Sequence, residues 1–177
     1  MRVALLLVLG FMVSACGGTD STSCTGSGCV CADTNCTCAA GTDCKTQCGS
    51  SDCALVCSSA AKCEGDTSGA LTLTCSDTSQ CKGAGGDESR VTCTAMSNCD
   101  FKLDATARVS CDTNAMCKLE VGGGSTITCS GSSTCTIKCD TDCKATCTDS
   151  SECAVTCGTA GSAATTCAPG VFACGSC

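Results

Sequence analysis

A chain of 177 residues with 27 Cys, 3 Phe and neither Trp nor Tyr is long enough for one domain but lacks the large side chains that usually fill a core. Covalent cross-links must therefore supply part of its stability. The absence of His excludes Ser/His/Asp and Cys/His catalysis, and with 10 basic against 17 acidic residues (formal charge -7) the surface repels phosphates, so no nucleic-acid partner is expected.

A leader comes first in the chain. Met1-Arg2 is a short basic start, and Val3 to Val13 is an eleven-residue apolar run, too short to span a bilayer and proportioned like the core of a signal peptide. It ends in Val13-Ser14-Ala15-Cys16, which resembles the lipobox of bacterial lipoproteins: an aliphatic residue, two small residues and an acceptor cysteine. The resemblance implies a signal peptide over 1–15, diacylglyceryl on the Cys16 sulfur, and acylation of the new amino terminus, two signals that suffice for stable anchoring. Gly17 after the acceptor, rather than Asp, implies within that family delivery to the outer membrane. The expected partner is the membrane, held through the lipid, with residues 16–23 as acceptor and flexible tether. Export also places the chain in an oxidising compartment, where 27 Cys less Cys16 leaves 26, an even number that can all pair.

Residues 24–37 carry Cys24, Cys29, Cys31 and Cys36 at irregular spacing and read as an N-terminal cap, which a solenoid needs because an open end exposes core and strand edges. From Cys38 the spacing becomes regular. First cysteines stand at Cys38, Cys57, Cys75, Cys93, Cys111, Cys129 and Cys147, at one interval of 19 residues and then 18, and each has another six residues on: Cys44, Cys63, Cys81, Cys99, Cys117, Cys135 and Cys153. Cys48, Cys53, Cys139, Cys143 and Cys157 are extra cysteines inside full-length repeats, and Cys167 follows Cys147 by 20 residues. A fixed period of this size is the signature of a solenoid.

Other positions keep the same register. Eight residues after the first Cys stand Gly65, Gly83, Phe101, Leu119, Ile137 and Val155, and sixteen after it stand Leu73, Val91, Val109, Ile127 and Ala145. Apolar residues two apart, as in Phe101/Leu103 and Leu119/Val121, indicate strands with one face inward, and GAGGDES at 83–89 and GGGS at 122–125 read as corners. The expected fold is an all-β, disulfide-stapled β-solenoid, one chain wound as a right-handed β-helix of about seven 18-residue coils over 38–166, each with about three short strands. A cysteine-rich C-terminal cap is expected over 167–177. A loose chain of small disulfide knots is the competing architecture, and the aligned apolar columns argue against it.

Cysteines stacked on neighbouring coils would sit about 4.8 Å apart, with Cβ atoms slightly too distant for a relaxed bond. Pairing inside each coil fits better and leaves none over, because each column has seven members. This predicts Cys38–Cys44, Cys57–Cys63, Cys75–Cys81, Cys93–Cys99, Cys111–Cys117, Cys129–Cys135 and Cys147–Cys153, with Cys48–Cys53 and Cys139–Cys143 as added staples. Connectivity over 24–36 and 157–177 is left open.

The stretches Thr74-CSDTSQC-81, Thr92-CTAMSNC-99, Thr128-CSGSSTC-135 and Thr146-CTDSSEC-153 resemble the TCTxSxxC unit of insect hyperactive antifreeze proteins in spacing. In that family a Cys-x5-Cys bond closes each coil and a flat Thr-x-Thr face binds ice. Here the coil is longer, and the Thr pair survives only at Thr92/Thr94 and Thr146/Thr148. Cys29-x-Cys31, Cys36-x-Cys38 and Cys174-x2-Cys177 are similar in spacing to metallothionein-type ligand units, but oxidation in an exported chain removes the thiolates. Gly83-Ala84-Gly85-Gly86-Asp87 is similar to one unit of a calcium β-roll and occurs once, and the Asp residues at 66, 87, 104, 112 and 142 share no column. No metal, cofactor or catalytic residue is therefore expected. The function expected is that of a non-enzymatic, lipid-anchored protein of the outer membrane with a structural or surface-interaction role. Its candidate contact face is the hydroxyl row Thr74, Thr92, Ser110, Thr128 and Thr146, and the alternatives are an ice-binding or adhesive face and a thiolate metal-binding protein.

Overall fold

The computed structural model describes residues 22–177, so the leader and Cys16 lie outside the described residues. The chain winds through seven coils, and each coil lays one strand in each of two facing parallel sheets. The first sheet takes Asn35–Cys38, Cys53–Cys57, Leu71–Cys75, Arg90–Cys93, Arg108–Cys111, Ser125–Cys129 and Cys143–Cys147. It is called the threonine sheet here for its outer face. The second, the lysine sheet, takes Asp43–Gln47, Lys62–Asp66, Gln80–Gly85, Asn98–Leu103, Met116–Val121, Thr134–Cys139 and Glu152–Cys157. Neighbouring coils stack in strict register, so that Cys75 pairs with Cys93 and Cys99 with Cys117.

Two strands per coil, rather than the three expected, follow from the length of the corners. Each Cys-x5-Cys stretch is a single tight corner, the second corner takes about four residues, and the remainder is two strands of four to six residues. The run 83–89 is likewise not all corner: Gly83 to Gly85 belong to Gln80–Gly85, and only 86–89 turn.

The core lies between the sheets, and the two sheets fill it by complementary volumes. In the second and third coils Leu55, Leu71 and Leu73 of the threonine sheet face Gly65 and Gly85. From the fourth coil on the bulk passes to the lysine sheet, where Phe101, Leu103, Leu119, Val121 and Ile137 are buried opposite Val91, Val109 and Ile127. Gly83 marks a close approach of another kind, between neighbouring coils of the lysine sheet. It sits at φ +153°, and a Cβ there would lie 1.9 Å from the carbonyl oxygen of Gly65 on the neighbouring coil.

The Cys-x5-Cys corner carries two successive left-handed residues in most coils, among them Ser59/Ala60, Asp77/Thr78, Ala95/Met96, Thr113/Asn114 and Asp149/Ser150. Each such residue costs on the order of 1 kcal/mol, so the surroundings must hold it in place. They do so through coil-to-coil hydrogen bonds, as when the N–H of Ala60 donates to the Asp77 carbonyl at 2.9 Å and that of Thr78 to Ala95 at 3.0 Å. A small residue then points inward before the second Cys: Ala61, Ser79, Ser97, Ala115 and Ser133 are all buried.

Both ends are closed by chain reversal. At the start, Ser23–Thr25 pairs antiparallel with Asp43–Gln47, and Cys29–Ala32 with Asn35–Cys38. At the end, Ser162–Ala163 runs antiparallel to Glu152–Cys157, and Val171–Cys174 to Cys143–Cys147. All four terminal edges of the coil stack are thereby covered, which removes the templates that exposed strand edges present. The boundaries shift as a result. Asn35 to Thr37, expected in the cap, form the first coil's first strand together with Cys38, and parallel stacking stops at Cys157 rather than running on to 166, because the reversed strand Val171–Cys174 pairs with Cys143–Cys147 and separates the strand of Cys167 from the column.

Candidate functional site

The cysteines form a mechanical spine. Each in-coil disulfide joins the last residue of a threonine-sheet strand to the second residue of the next lysine-sheet strand: Cys38–Cys44, Cys57–Cys63, Cys75–Cys81, Cys93–Cys99, Cys111–Cys117, Cys129–Cys135 and Cys147–Cys153, with Cα atoms 5.9 to 6.6 Å apart. Cys48–Cys53 and Cys139–Cys143 close the opposite corner near the two ends. In the middle coils hydroxyls do that work: Ser89 Oγ accepts the Leu71 N–H at 2.9 Å and donates to the Gly86 carbonyl at 2.6 Å, and Ser125 repeats this with Ala107 and Gly122. The caps add Cys24–Cys29, Cys31–Cys36, Cys157–Cys174 and Cys167–Cys177. Sulfurs of stacked coils approach one another, as at Cys57, Cys63 and Cys81, but each is spent in a disulfide and has no thiolate to offer a metal.

Outer residues of the lysine sheet alternate in sign along the stack. Lys45, Glu64, Lys82, Asp100 and Lys118 occupy one column in successive coils, and Lys102, Glu120 and Lys138 the next. Glu64 is bridged by Lys45 on one side and by Lys82 at 2.8 Å on the other, Asp100 pairs with Lys118 at 3.1 Å, and Glu120 with Lys138 at 3.7 Å. Hydrogen bonds from Lys45 and then Lys82 hold the Glu64 carboxyl below the usual carboxylate range, against a smaller opposing effect of burial. A surface depression floored by Lys45, Glu64, Lys82 and Asp100 lies on this sheet, and its central acid is an ionised partner of two lysines rather than a proton donor.

The threonine sheet is different. Its outward column carries Thr37, Val56, Thr74, Thr92, Ser110, Thr128 and Thr146 in consecutive register, and the antiparallel caps extend it with Val30 and Val171. The five hydroxyl positions read from sequence thus stand in one row. The adjoining column holds Ala54, Thr72, Arg90, Arg108, Thr126 and Lys144. Thr-x-Thr pairs therefore occur on the strands at Thr72/Thr74 and Thr126/Thr128, whereas Thr94 and Thr148, singled out from sequence, start the corner. The three cations went unnoticed in the sequence, although each stands three residues before its first-column cysteine.

No family model, no curated protein and no solved structure matches this chain.

Carboxylates not on the lysine sheet gather at the corners. Asp52, Asp87, Glu88 and Asp104, which share no strict column, meet around one depression. There Asp52 Oδ1 accepts the Ala70 N–H and Asp87 Oδ1 the Ala105 N–H, both at 2.9 Å, so these acids tie one coil to the next. Asp66 does the same for Ala84 at 3.1 Å.

Proposed function

We propose that the protein is a non-enzymatic, lipid-anchored rod of the bacterial outer membrane, with a structural or surface-interaction role. The observation that carries the anchor is Val13-Ser14-Ala15-Cys16 closing an apolar leader, followed by a chain whose other cysteines are all engaged in disulfides, as suits an exported protein. The rod reading rests on the uniform stack: a solenoid of this length offers extended, repetitive faces. Mass spectrometry of the native protein tests it. The expected result is a lipid adduct on Cys16 together with the mass deficit of 13 disulfides. An unlipidated soluble product would sink the anchor, and free thiols with bound metal would favour the thiolate reading.

A second reading, an ice-binding or adhesive face, draws support from the Thr-x-Thr pairs Thr72/Thr74 and Thr126/Thr128 on an exposed, regular sheet. Arg90 and Arg108 lie between those pairs and break the hydroxyl lattice. Thermal hysteresis of a cooled solution decides between the two: a freezing-point gap would establish ice binding, and its absence leaves the interaction role.

A further inference from the structure

We infer that the exposed face of the threonine sheet is a binding track for an extended acidic polysaccharide, with Arg90, Arg108 and Lys144 receiving its carboxylates and the threonine row its hydroxyls. The inference deepens the interaction role proposed above and rests on it. It does not need the lipid, so the mass of Cys16 and the binding of a glycan fail separately.

The contrast between the sheets is the starting point. In-register stacking sets every outward residue against its equivalent on the next coil, and the lysine sheet meets this by alternating sign, as Lys45, Glu64, Lys82, Asp100 and Lys118 show. The threonine sheet does the opposite: Arg90 and Arg108 are direct register neighbours, and like charges so placed repel. Lys144 follows in the same column after Thr126, and the seven coil strands of this sheet carry no carboxylate at all. Acids do stand at the adjoining corners, Asp87 and Glu88 before Arg90, Asp104 before Arg108 and Asp142 before Lys144, yet among the described residues none forms an ion pair with these cations. In a chain of net charge -7, an all-cationic sheet with its charges left unpaired is arranged for an anion from outside.

The row's geometry narrows the class. The cations lie on a straight line along the stack, at multiples of about 4.8 Å, close to the rise of one pyranose unit in an extended glycan. Arg90 and Arg108 would meet acidic groups on successive rings, and Lys144 one two rings further on. Guanidinium forks match carboxylates in a two-point contact, and Thr74, Thr92, Ser110 and Thr128 supply hydroxyls in the adjoining column. The face has no aromatic ring on which a neutral sugar could stack, so charge must provide the affinity. Disulfides at every coil keep the track rigid, which lowers the ordering cost of binding.

Calorimetric titration of the full-length protein in detergent with oligogalacturonate, against neutral dextran, tests the inference. Saturable binding of oligogalacturonate that weakens with salt, and none of dextran, is expected. The R90A/R108A double variant should lose about tenfold or more in affinity, since two charge-assisted contacts go. K62A/K102A, removing two lysines of the opposite sheet that form none of its ion pairs, should leave affinity unchanged. Equal loss in both double variants would show unspecific charge attraction and overturn the inference, as would no saturable binding, or binding to vesicles containing phosphatidylglycerol with none to oligogalacturonate.

Discussion

The two sheets share one chain, one period and one core, yet their outer faces follow opposite rules. Six lysines and six carboxylates on the lysine-sheet strands cancel, and five pairings bind successive coils together there. The threonine-sheet strands carry three cations, no acid and a column of β-branched side chains broken only at Ser110. A solenoid makes such a difference informative. Because position n always meets its equivalent on the next coil, alternating charges add to the cohesion of a face and like charges subtract from it. The sheets' shares of that one core differ too, since bulk passes from the threonine sheet to the lysine sheet at the fourth coil.

The largest expected effect lies where two coils of the lysine sheet come closest. Gly83→Val would drive a branched side chain into the Gly65 carbonyl and force a residue of positive φ into strain, at an expected cost of about 3 kcal/mol or more. Thermal melting followed by circular dichroism checks this, and a variant melting with the wild type would refute the tight packing of the third coil. Next in size is the covalent tie between the sheets. Cys93→Ala with Cys99→Ala removes a seven-residue loop closure worth about 2 kcal/mol and should lower the denaturant midpoint accordingly.

Much of this was legible in the sequence. The cysteine columns gave the seven coils, and Phe101/Leu103 and Leu119/Val121 marked inward faces, because burial and covalent closure act at fixed positions of the repeat. Strand number was not legible. Ala95-Met96 and Thr113-Asn114 adopt left-handed conformations that residues such as Ala, Met and Thr seldom take, so local propensity hid the tight corner that stacking and the disulfide impose. The caps were hidden for a related reason: Cys167 kept nearly the right interval while the reversed strand Val171–Cys174 took the place next to the last coil. Of the candidate face, the hydroxyl row was read from the residue preceding each first cysteine. Its arginines were missed because two residues in a column of seven make no visible pattern until the other sheet shows what a balanced column looks like.

Smaller effects separate the faces by charge. Glu64→Gln leaves Lys45 and Lys82 without their shared carboxylate and should cost about 0.5 kcal/mol at low salt, less as salt screens the pairs. Arg90→Thr with Arg108→Ser relieves a like-charge contact and fills the adjoining column between Thr72 and Thr126 with hydroxyls, so stability should stay level or rise by a few tenths of a kcal/mol, on the order expected for one cross-strand pair. A loss equal to that of Glu64→Gln would mean that the arginines serve the fold, and the distinction between the faces would fall.

The finest test uses pH. Glu64 titrates below its ordinary 4.5 because Lys45, and after it Lys82, hydrogen-bond the ionised carboxylate, and Lys45 titrates above its ordinary 10.5 chiefly through the same bond. A depressed acid stabilises the fold above its unfolded pKa, and that contribution fades as the pH drops through the lower folded value; a raised base stabilises below its unfolded pKa and fades as the pH climbs through the higher folded value. The difference in melting temperature between wild type and Glu64→Gln should therefore be greatest between pH 4.5 and 10.5 and shrink on both sides of that window. For the Arg90→Thr, Arg108→Ser variant no carboxylate bond is lost, so its difference from wild type should show no acid limb at all. An offset for Glu64→Gln that stayed constant from acid to alkaline pH would show that the alternating column is ornament, and that the lysine sheet is held by its backbone ladder alone.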